Sequence, residues 1–321
     1  MRKYIILIPV IFLVVLFFGF NNVENSDPKN VHDEKAEYKA VAENTQEIKT
    51  SSSKGEISIF QTAGFTMPPD DNLGRLPLQG TKSFDVKNVN LPEGQVKLPI
   101  LMYHYIRPLN PKMTELDRGL SLTPEEFDAQ MIYLNENGFT TVFPDEMMDA
   151  LDGKSVLPKK PIMLTFDDGY EDFYTNAFPI IKKYNIKAVS FLIVNYIGTN
   201  RYMTEAQILE INKSGLVDFE SHSMSHPFLT RVDKERLKKE VVDSKAALEK
   251  LLGKKINYFC YPYGDLNYTS VVAAVQEAGY RSAFTVYYGY VHRKEFPFIQ
   301  DRVRSSYKDT ISAFARRIEI F

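Results

Sequence analysis

From Lys97 onward the chain alternates short apolar runs with amphipathic ones, and this alternation limits the possible folds more than any other feature. The apolar runs are LPILMY (98–103), TTVF (140–143), PIMLTF (161–166), AVSFLI (188–193), LVDFE (216–220), INYFCY (256–261) and SAFTV (282–286). All are of strand length. The segments between them carry helix punctuation. Thr123-Pro124-Glu125-Glu126 reads as a capping box with proline at the first helical position, Phe127, Met131 and Leu134 repeat at helical spacing, and Gly138 marks the stop. A helix from about Asp233 to Leu252 ends at Gly253, and another from Thr269 ends at Gly279. Seven strand–helix alternations over residues 97–321 predict a parallel α/β barrel-like domain, not a β-sandwich.

The segments before this domain differ from it in kind. Arg2 and Lys3 precede an apolar run from Tyr4 to Phe20, with no small-x-small cleavage pattern after it. Residues 1–20 therefore read as an uncleaved signal anchor, a cleaved secretory signal being the alternative, with the N-terminus in the cytoplasm and the remainder outside. Residues 21–55 are polar, charged and poor in large apolar side chains, which describes a disordered extracellular stalk. Residues 56–96 hold Pro, Gly and Asn without apolar periodicity and are expected to be an irregular segment against the domain.

Composition removes several function classes. A net charge of −2 gives no basic excess, so nucleic acid is not an expected partner. A single cysteine, Cys260, excludes an intramolecular disulfide framework and a cysteine-cluster metal site; it reads as a small buried strand residue. The 19 Tyr and 22 Phe supply aromatic surface able to stack on sugars.

In parallel α/β barrels the chemistry sits where the strands end, at their C-terminal face. The polar residues that follow the apolar runs are therefore the candidates. LPILMY runs into His104, PIMLTF into Asp167 and Asp168, LVDFES into His222 and then His226, and NYFCY into Pro262-Tyr263-Gly264. Taken singly, Asp-Asp-Gly is a turn or helix cap, His-x-x-x-His a surface coincidence, and His104 a hydrogen-bonded core histidine. Together they place three of the chain's five histidines at strand ends on one face. Two imidazoles and a carboxylate suit a divalent metal with open coordination positions. The second acid of the pair is then left as a base. Adjacent residues on a regular strand face opposite ways, so the strand must break at Asp167–Asp168 for both to reach one site. Gly169 permits the sharp turn. His32 falls in the stalk and His292 in a charged loop, YVHRKEF, and neither is given a role. DKERLKKEVVDSKAALEKLLG (233–253) reads as a solvated helix face.

TFDDG, then HSMSH, then FCYPYG resembles the polysaccharide deacetylase family, the NodB-homology domain of carbohydrate esterase family 4, over about residues 97–321. The opening PILMYHYI is similar to the circularly permuted poly-N-acetylglucosamine deacetylase branch. The resemblance implies an irregular (β/α)7-type barrel of parallel strands. It implies Asp167 as general base, Asp168, His222 and His226 as metal ligands, and the Tyr263 backbone N–H as part of an oxyanion hole. The family's C-terminal Leu-x-His acid is absent here, and the permuted branch points to His104 in its place. Where many members carry a base-orienting arginine this chain has Cys260, and Arg302, in FIQDRVRSS, is the candidate substitute. Zinc is the expected cofactor, with cobalt or nickel as alternatives. The expected activity is hydrolysis of N-acetyl groups on an extracellular amino-sugar polymer, peptidoglycan or poly-β-1,6-N-acetylglucosamine, by a monomeric catalytic domain. Competing readings are a glycoside hydrolase with paired carboxylates and a non-catalytic glycan-binding module.

Overall fold

The computed structural model describes residues 91–320 except 306 and 308. The expected anchor, the stalk and most of the irregular segment lie outside the described residues. Among the described residues, no helix is long and apolar enough to cross a membrane.

Twelve strands are present among the described residues: β1 Gln95–Lys97, β2 Ile100–Tyr103, β3 Tyr105–Ile106, β4 Ser121–Leu122, β5 Thr140–Thr141, β6 Pro161–Phe166, β7 Ala188–Leu192, β8 Val217–Ser221, β9 Tyr258–Cys260, β10 Ser282–Tyr288, β11 Val291–Arg293 and β12 Gln300–Arg304. Seven of them close a parallel barrel in the order β2-β12-β10-β9-β8-β7-β6, with β6 pairing back to β2. Closure leaves no edge strand in the ring.

The expected parallel barrel is present, but two of its expected parts differ. TTVF forms only the two-residue β5, which extends the N-terminal end of β6 through Thr140–Pro161 and Thr141–Ile162 and is not one of the seven staves. The seventh stave is β12, whose sequence QDRVR carries three charges and has no apolar run to mark it. A charged stave is tolerated because Arg302 points inward onto a carboxylate. Gln95 and Val96, the end of the segment expected to be irregular, form β1 together with Lys97, and this strand pairs antiparallel with β11. His292, assigned to a loop, lies on β11.

Strand alternation sorts the core into two layers. Ile100, Met163, Val189, Phe191, Tyr258, Cys260 and Phe284 fill the lumen, joined at the N-terminal end by Val142, Met147, Met148 and Leu151 from β5's exit and the helix Pro144–Leu151. Leu101, Tyr103, Leu164, Phe166, Phe219 and Phe259 face outward under the surrounding helices. The helix Pro124–Glu136 begins with the expected capping box, in which Thr123 and Glu126 satisfy each other's backbone N–H groups. The helix Ser244–Leu252 ends at Gly253, whose φ of 66° closes it. Apolar side chains plug the N-terminal end, which leaves the C-terminal end of the barrel, among the described residues, for polar chemistry.

Candidate active site

Strand register explains why His104 and Asp167 meet. In the β2–β6 pair Tyr103 lies opposite Phe166, and His104 and Asp167 are the next residues on each strand. The Asp167 N–H donates to the Tyr103 carbonyl at 3.0 Å, which extends the ladder by one step. His104 Nε2 then stands 3.8 Å from Asp167 Oδ2. The strand breaks immediately afterwards: Asp168 has a φ of 74° and Gly169 of 82°. A Cβ on Gly169 would meet Leu192 Cδ2 at 2.7 Å, so the turn requires glycine on two counts. The break turns Asp168 toward the same end of the barrel as Asp167.

Backbone strain concentrates here. Six non-glycine residues among those described have positive φ, and four of them are Asp168, Ser223, His226 and Tyr263. Each such position costs on the order of 1–3 kcal/mol and persists only where its surroundings enforce it. Ser223 and His226 shape the loop after β8, and Tyr263 sits in the turn after β9. Beside it, Gly264 has a φ of 67°, and a Cβ there would lie 2.3 Å from Val286 Cγ2.

Asp168 Oδ1 lies 3.4 Å from His222 Nε2 and 3.4 Å from His226 Nε2, and the two Nε2 atoms are 3.1 Å apart. A tetrahedral centre with ligand bonds of about 2.0–2.1 Å has edges of about 3.3–3.4 Å. The triangle therefore fits three ligands of a divalent cation. The donors are of the right type: His222 Nδ1 lies 2.8 Å from the Cys260 carbonyl, which accepts a hydrogen bond from it, so that in the neutral ring Nε2 has its lone pair toward the other two ligands. The overlapping set Asp167, His222 and Cys260 is also compact. It suits a cation poorly, because the Arg302 guanidinium already lies against both the carboxylate and the sulfur.

Arg302 is 1% exposed. It donates to Asp167 Oδ1 and Oδ2, both at 2.8 Å, and lies 3.2 Å from Cys260 Sγ. Its remaining donors reach the Thr285 carbonyl at 2.6 Å and the Thr165 hydroxyl at 3.0 Å. A register shift in β10 between Phe284 and Tyr288 falls at this carbonyl, in keeping with bulges re-aiming groups beside active sites.

Burial raises the Asp167 carboxyl, but the charge and hydrogen bonds of Arg302 outweigh it and its pKa falls below the usual carboxylate value. Burial likewise opposes ionisation of Asp168, and its contacts with the imidazoles of His222 first and His226 second carry its pKa down. His226 is brought down to about 3 by burial and then by the neighbouring His222, so it is held neutral, as a ligand must be. Burial lowers His104, offset in part by the charges of Asp167 and Asp168.

The structure thus brings His104, Asp167, Asp168, His222, His226 and Arg302 together, with Tyr263 at the margin. The Tyr263 ring stacks on Phe228 at 4.2 Å and meets the His226 ring edge-on at 4.4 Å. His292 lies at the other end of the barrel, buried, its Nε2 2.8 Å from the carbonyl of Leu98, which precedes β2. Three contributions were not legible in the sequence. Cys260 is buried as expected, but its carbonyl also orients a candidate ligand. The Thr285 carbonyl is aimed by an irregularity that no sequence motif marks. Glu240, read as part of a solvated helix face, is 4% exposed and binds the loop that carries both histidines.

The C-terminal end of the parallel barrel thus places a His-His-Asp triangle that could hold a metal ion beside an arginine-held carboxylate. The family model for polysaccharide deacetylases matches residues 154–283. YxkH of Bacillus subtilis, which carries a provisional polysaccharide deacetylase name, is 34% identical over 71% of this chain and 78% of its own length. The poly-β-1,6-N-acetyl-D-glucosamine N-deacetylase of Staphylococcus epidermidis is 30% identical over 58% of this chain and 71% of its own. Among solved structures, the Streptococcus pyogenes deacetylase PplD in complex with acetate superimposes with a TM-score of 0.65 at 29% identity, covering 70% of this chain and 99% of that one. The chain belongs to the polysaccharide deacetylase family.

Proposed function

We propose that the protein hydrolyses N-acetyl groups from an extracellular polysaccharide containing N-acetylglucosamine, releasing acetate and leaving a free amine on the sugar. The observation that carries this reading is the Asp168–His222–His226 triangle standing beside a carboxylate, Asp167, that Arg302 keeps ionised. Poly-β-1,6-N-acetylglucosamine is the first candidate polymer, supported by the staphylococcal relative's name; peptidoglycan is the second. The acetate in the streptococcal structure is the product expected of such chemistry.

Asp168, His222 and His226 would hold a divalent cation, zinc first by the nature of the donors, which supplies Lewis acidity to the amide carbonyl and to water. Arg302 fixes both oxygens of Asp167, so the carboxylate is oriented before substrate arrives. Asp167 takes a proton from the attacking water as its oxygen bonds to the acetyl carbon. The Tyr263 backbone N–H, set by its left-handed turn, donates to the oxygen that becomes negative. His104, within 4 Å of Asp167, delivers a proton to the sugar nitrogen as the C–N bond breaks. Glycoside hydrolysis is the weaker reading. It needs two carboxyl groups flanking a sugar bond about 5 Å or more apart, whereas here one carboxylate is gripped by a guanidinium and the other by two imidazoles.

The N-terminal run Tyr4–Phe20 completes the proposal as a signal anchor that presents the domain outside the cell on the stalk 21–55. The test is acetate release by the purified domain from poly-β-1,6-N-acetylglucosamine and from peptidoglycan, with and without a chelator. Release that the chelator abolishes is expected. No release from either polymer, or release indifferent to chelation, overturns the reading.

A further inference from the structure

The loop after β8 carries two of the three candidate ligands through two left-handed residues, Ser223 and His226, with φ of 68° and 57°. A strained five-residue loop holds its shape only if its backbone groups have fixed partners. On one side the partners are main chain: the Val194 and Asn195 N–H groups donate to the Ser223 and Met224 carbonyls at 3.2 and 2.9 Å. Within the loop, the His226 N–H donates to the Ser223 hydroxyl at 2.9 Å.

On the other side the partner is a single carboxylate. Glu240 Oε2 accepts from the consecutive N–H groups of Met224 and Ser225 at 3.0 and 2.8 Å, and Oε1 accepts from the Ser225 hydroxyl at 2.5 Å. Successive backbone N–H groups in such a turn form a concave anion site, and a buried carboxylate is a strong partner for it. Glu240 is 4% exposed and sits in the π-turn Lys239–Asp243, between the helical segments Lys234–Lys238 and Ser244–Leu252. Such widened turns recur at functional sites. Its one cationic neighbour of note, the Arg236 Nε, is 3.6 Å away and more than half exposed, so the ordered grip of Glu240 is on the loop.

We propose that Glu240 is a positioning residue for the metal centre: by clamping the Met224 and Ser225 amides it fixes the separation and direction of His222 and His226, and so sets the affinity of the site for its cation. This rests on the assignment of Asp168, His222 and His226 as ligands made above. Glu240 touches neither substrate nor cation. It acts through the loop and differs from the ligands in the chemistry that can replace it. Glutamine has one oxygen for the two N–H groups and an NH2 for the Ser225 hydroxyl oxygen, so it preserves the clamp without the charge. Aspartate keeps the charge but is one methylene too short to span the contact, and alanine removes both.

The experiment is a zinc titration by chelator competition on the metal-stripped full chain, for wild type and for Glu240→Gln, Glu240→Asp and Glu240→Ala, with far-ultraviolet circular dichroism as the check on fold. Cobalt absorption spectra report ligand geometry in the same four proteins. The expected result is a loss of zinc affinity of about 10–100-fold in the Ala and Asp variants, as for lost outer partners of metal ligands, with altered cobalt bands, while Gln stays near wild type in both. Wild-type affinity in the Ala variant, or in the Asp variant should Ala not fold, overturns the clamp. So does a Gln variant as weak as Ala. A wild-type protein that binds no zinc or cobalt overturns instead the ligand assignment, and the clamp's role with it.

Discussion

Arg302 holds Asp167 by two parallel N–H···O bonds of 2.8 Å across a barrel interface between strands that are 135 residues apart in sequence. A fork-to-fork pair of this kind fixes the direction of a carboxylate as well as its charge. It is wholly buried, which makes it costly to break from one side only.

The pair yields the first prediction. Arg302→Lys keeps a positive charge but cannot bridge both oxygens while also reaching the Thr285 carbonyl and Thr165 hydroxyl. Turnover should fall by about 10²-fold through misplacement of the carboxylate, with metal content unchanged. Arg302→Met leaves Asp167 buried without its partner and should lower stability by about 3–5 kcal/mol. Adding Asp167→Asn to that variant should recover part of the loss, since the uncompensated charge is then gone. Chemical denaturation of the four proteins reads this out; equal losses in single and double variants would count against the pair.

The two adjacent acids should separate cleanly. Asp168 faces both imidazoles, so Asp168→Ala should lose bound metal along with activity, as should His222→Ala. Asp167→Asn keeps shape while removing the base, and should retain metal while turnover falls by about 10²–10⁴-fold. Metal analysis and acetate release on the same samples decide it: full occupancy in Asp168→Ala would remove that residue from the ligand set.

Much of this arrangement was legible in the sequence because apolar strands announce themselves and a barrel delivers its strand ends to one face. PIMLTF became β6 residue for residue, and the need for a break after Asp167 follows from strand alternation alone. What was hidden shares one physical cause, namely polar residues buried by partners distant in sequence. QDRVR does not read as a stave, because its burial depends on Asp167 on another strand. Glu240 does not read as buried, because its partners are backbone amides that any sequence possesses. His292 does not read as a buried residue, because what buries it is contact of its two ring nitrogens with Gln300 and with the Leu98 carbonyl, which the local sequence does not announce.

Asp172 offers a prediction about pH. One oxygen of its carboxylate has no hydrogen-bond partner and is buried. Burial raises its pKa to about 7, against the partial opposition of Arg107 and of a hydrogen bond from the Ile106 N–H. The folded state therefore holds this proton more tightly than the unfolded state does. Between the unfolded value near 4 and about 7 the unfolded chain loses its proton first, so this group makes stability fall as pH rises through that window and keeps it lowered above. Asp172→Asn removes the effect and leaves an oxygen for Ile106. Its unfolding free energy relative to wild type, measured by chemical denaturation, should climb from pH 4 to pH 7 and then level off, by about 2–4 kcal/mol in all. A constant difference across that range would mean the carboxyl titrates normally.

His104 and His292 pose the sharpest contrast, because both are histidines associated with β2, one at each end. His104 follows Tyr103 and stands against Asp167. His292 contacts the carbonyl of Leu98 before the strand begins, and its other nitrogen lies 2.8 Å from Gln300 Oε1. The first position suits the role proposed above for His104 on the leaving amine, and the second is that of a strap tying β11 to β12 and to the start of β2. His104→Ala should keep its metal and lose amide hydrolysis by about 10²–10⁴-fold, with a smaller loss on an activated acetate ester, whose leaving group needs less help from an acid. His292→Ala should lower the melting temperature through lost buried polar contacts with Gln300 and Leu98, while the folded fraction still releases acetate at the wild-type rate. The paired measurements are acetate release from the polymer, ester hydrolysis, metal content and thermal unfolding. Deacetylation lost in the His292 variant and intact in the His104 variant would move the acid to the far end of the barrel, where no carboxylate base accompanies it among the described residues in contact with His292, and the proposed division of labour would fail.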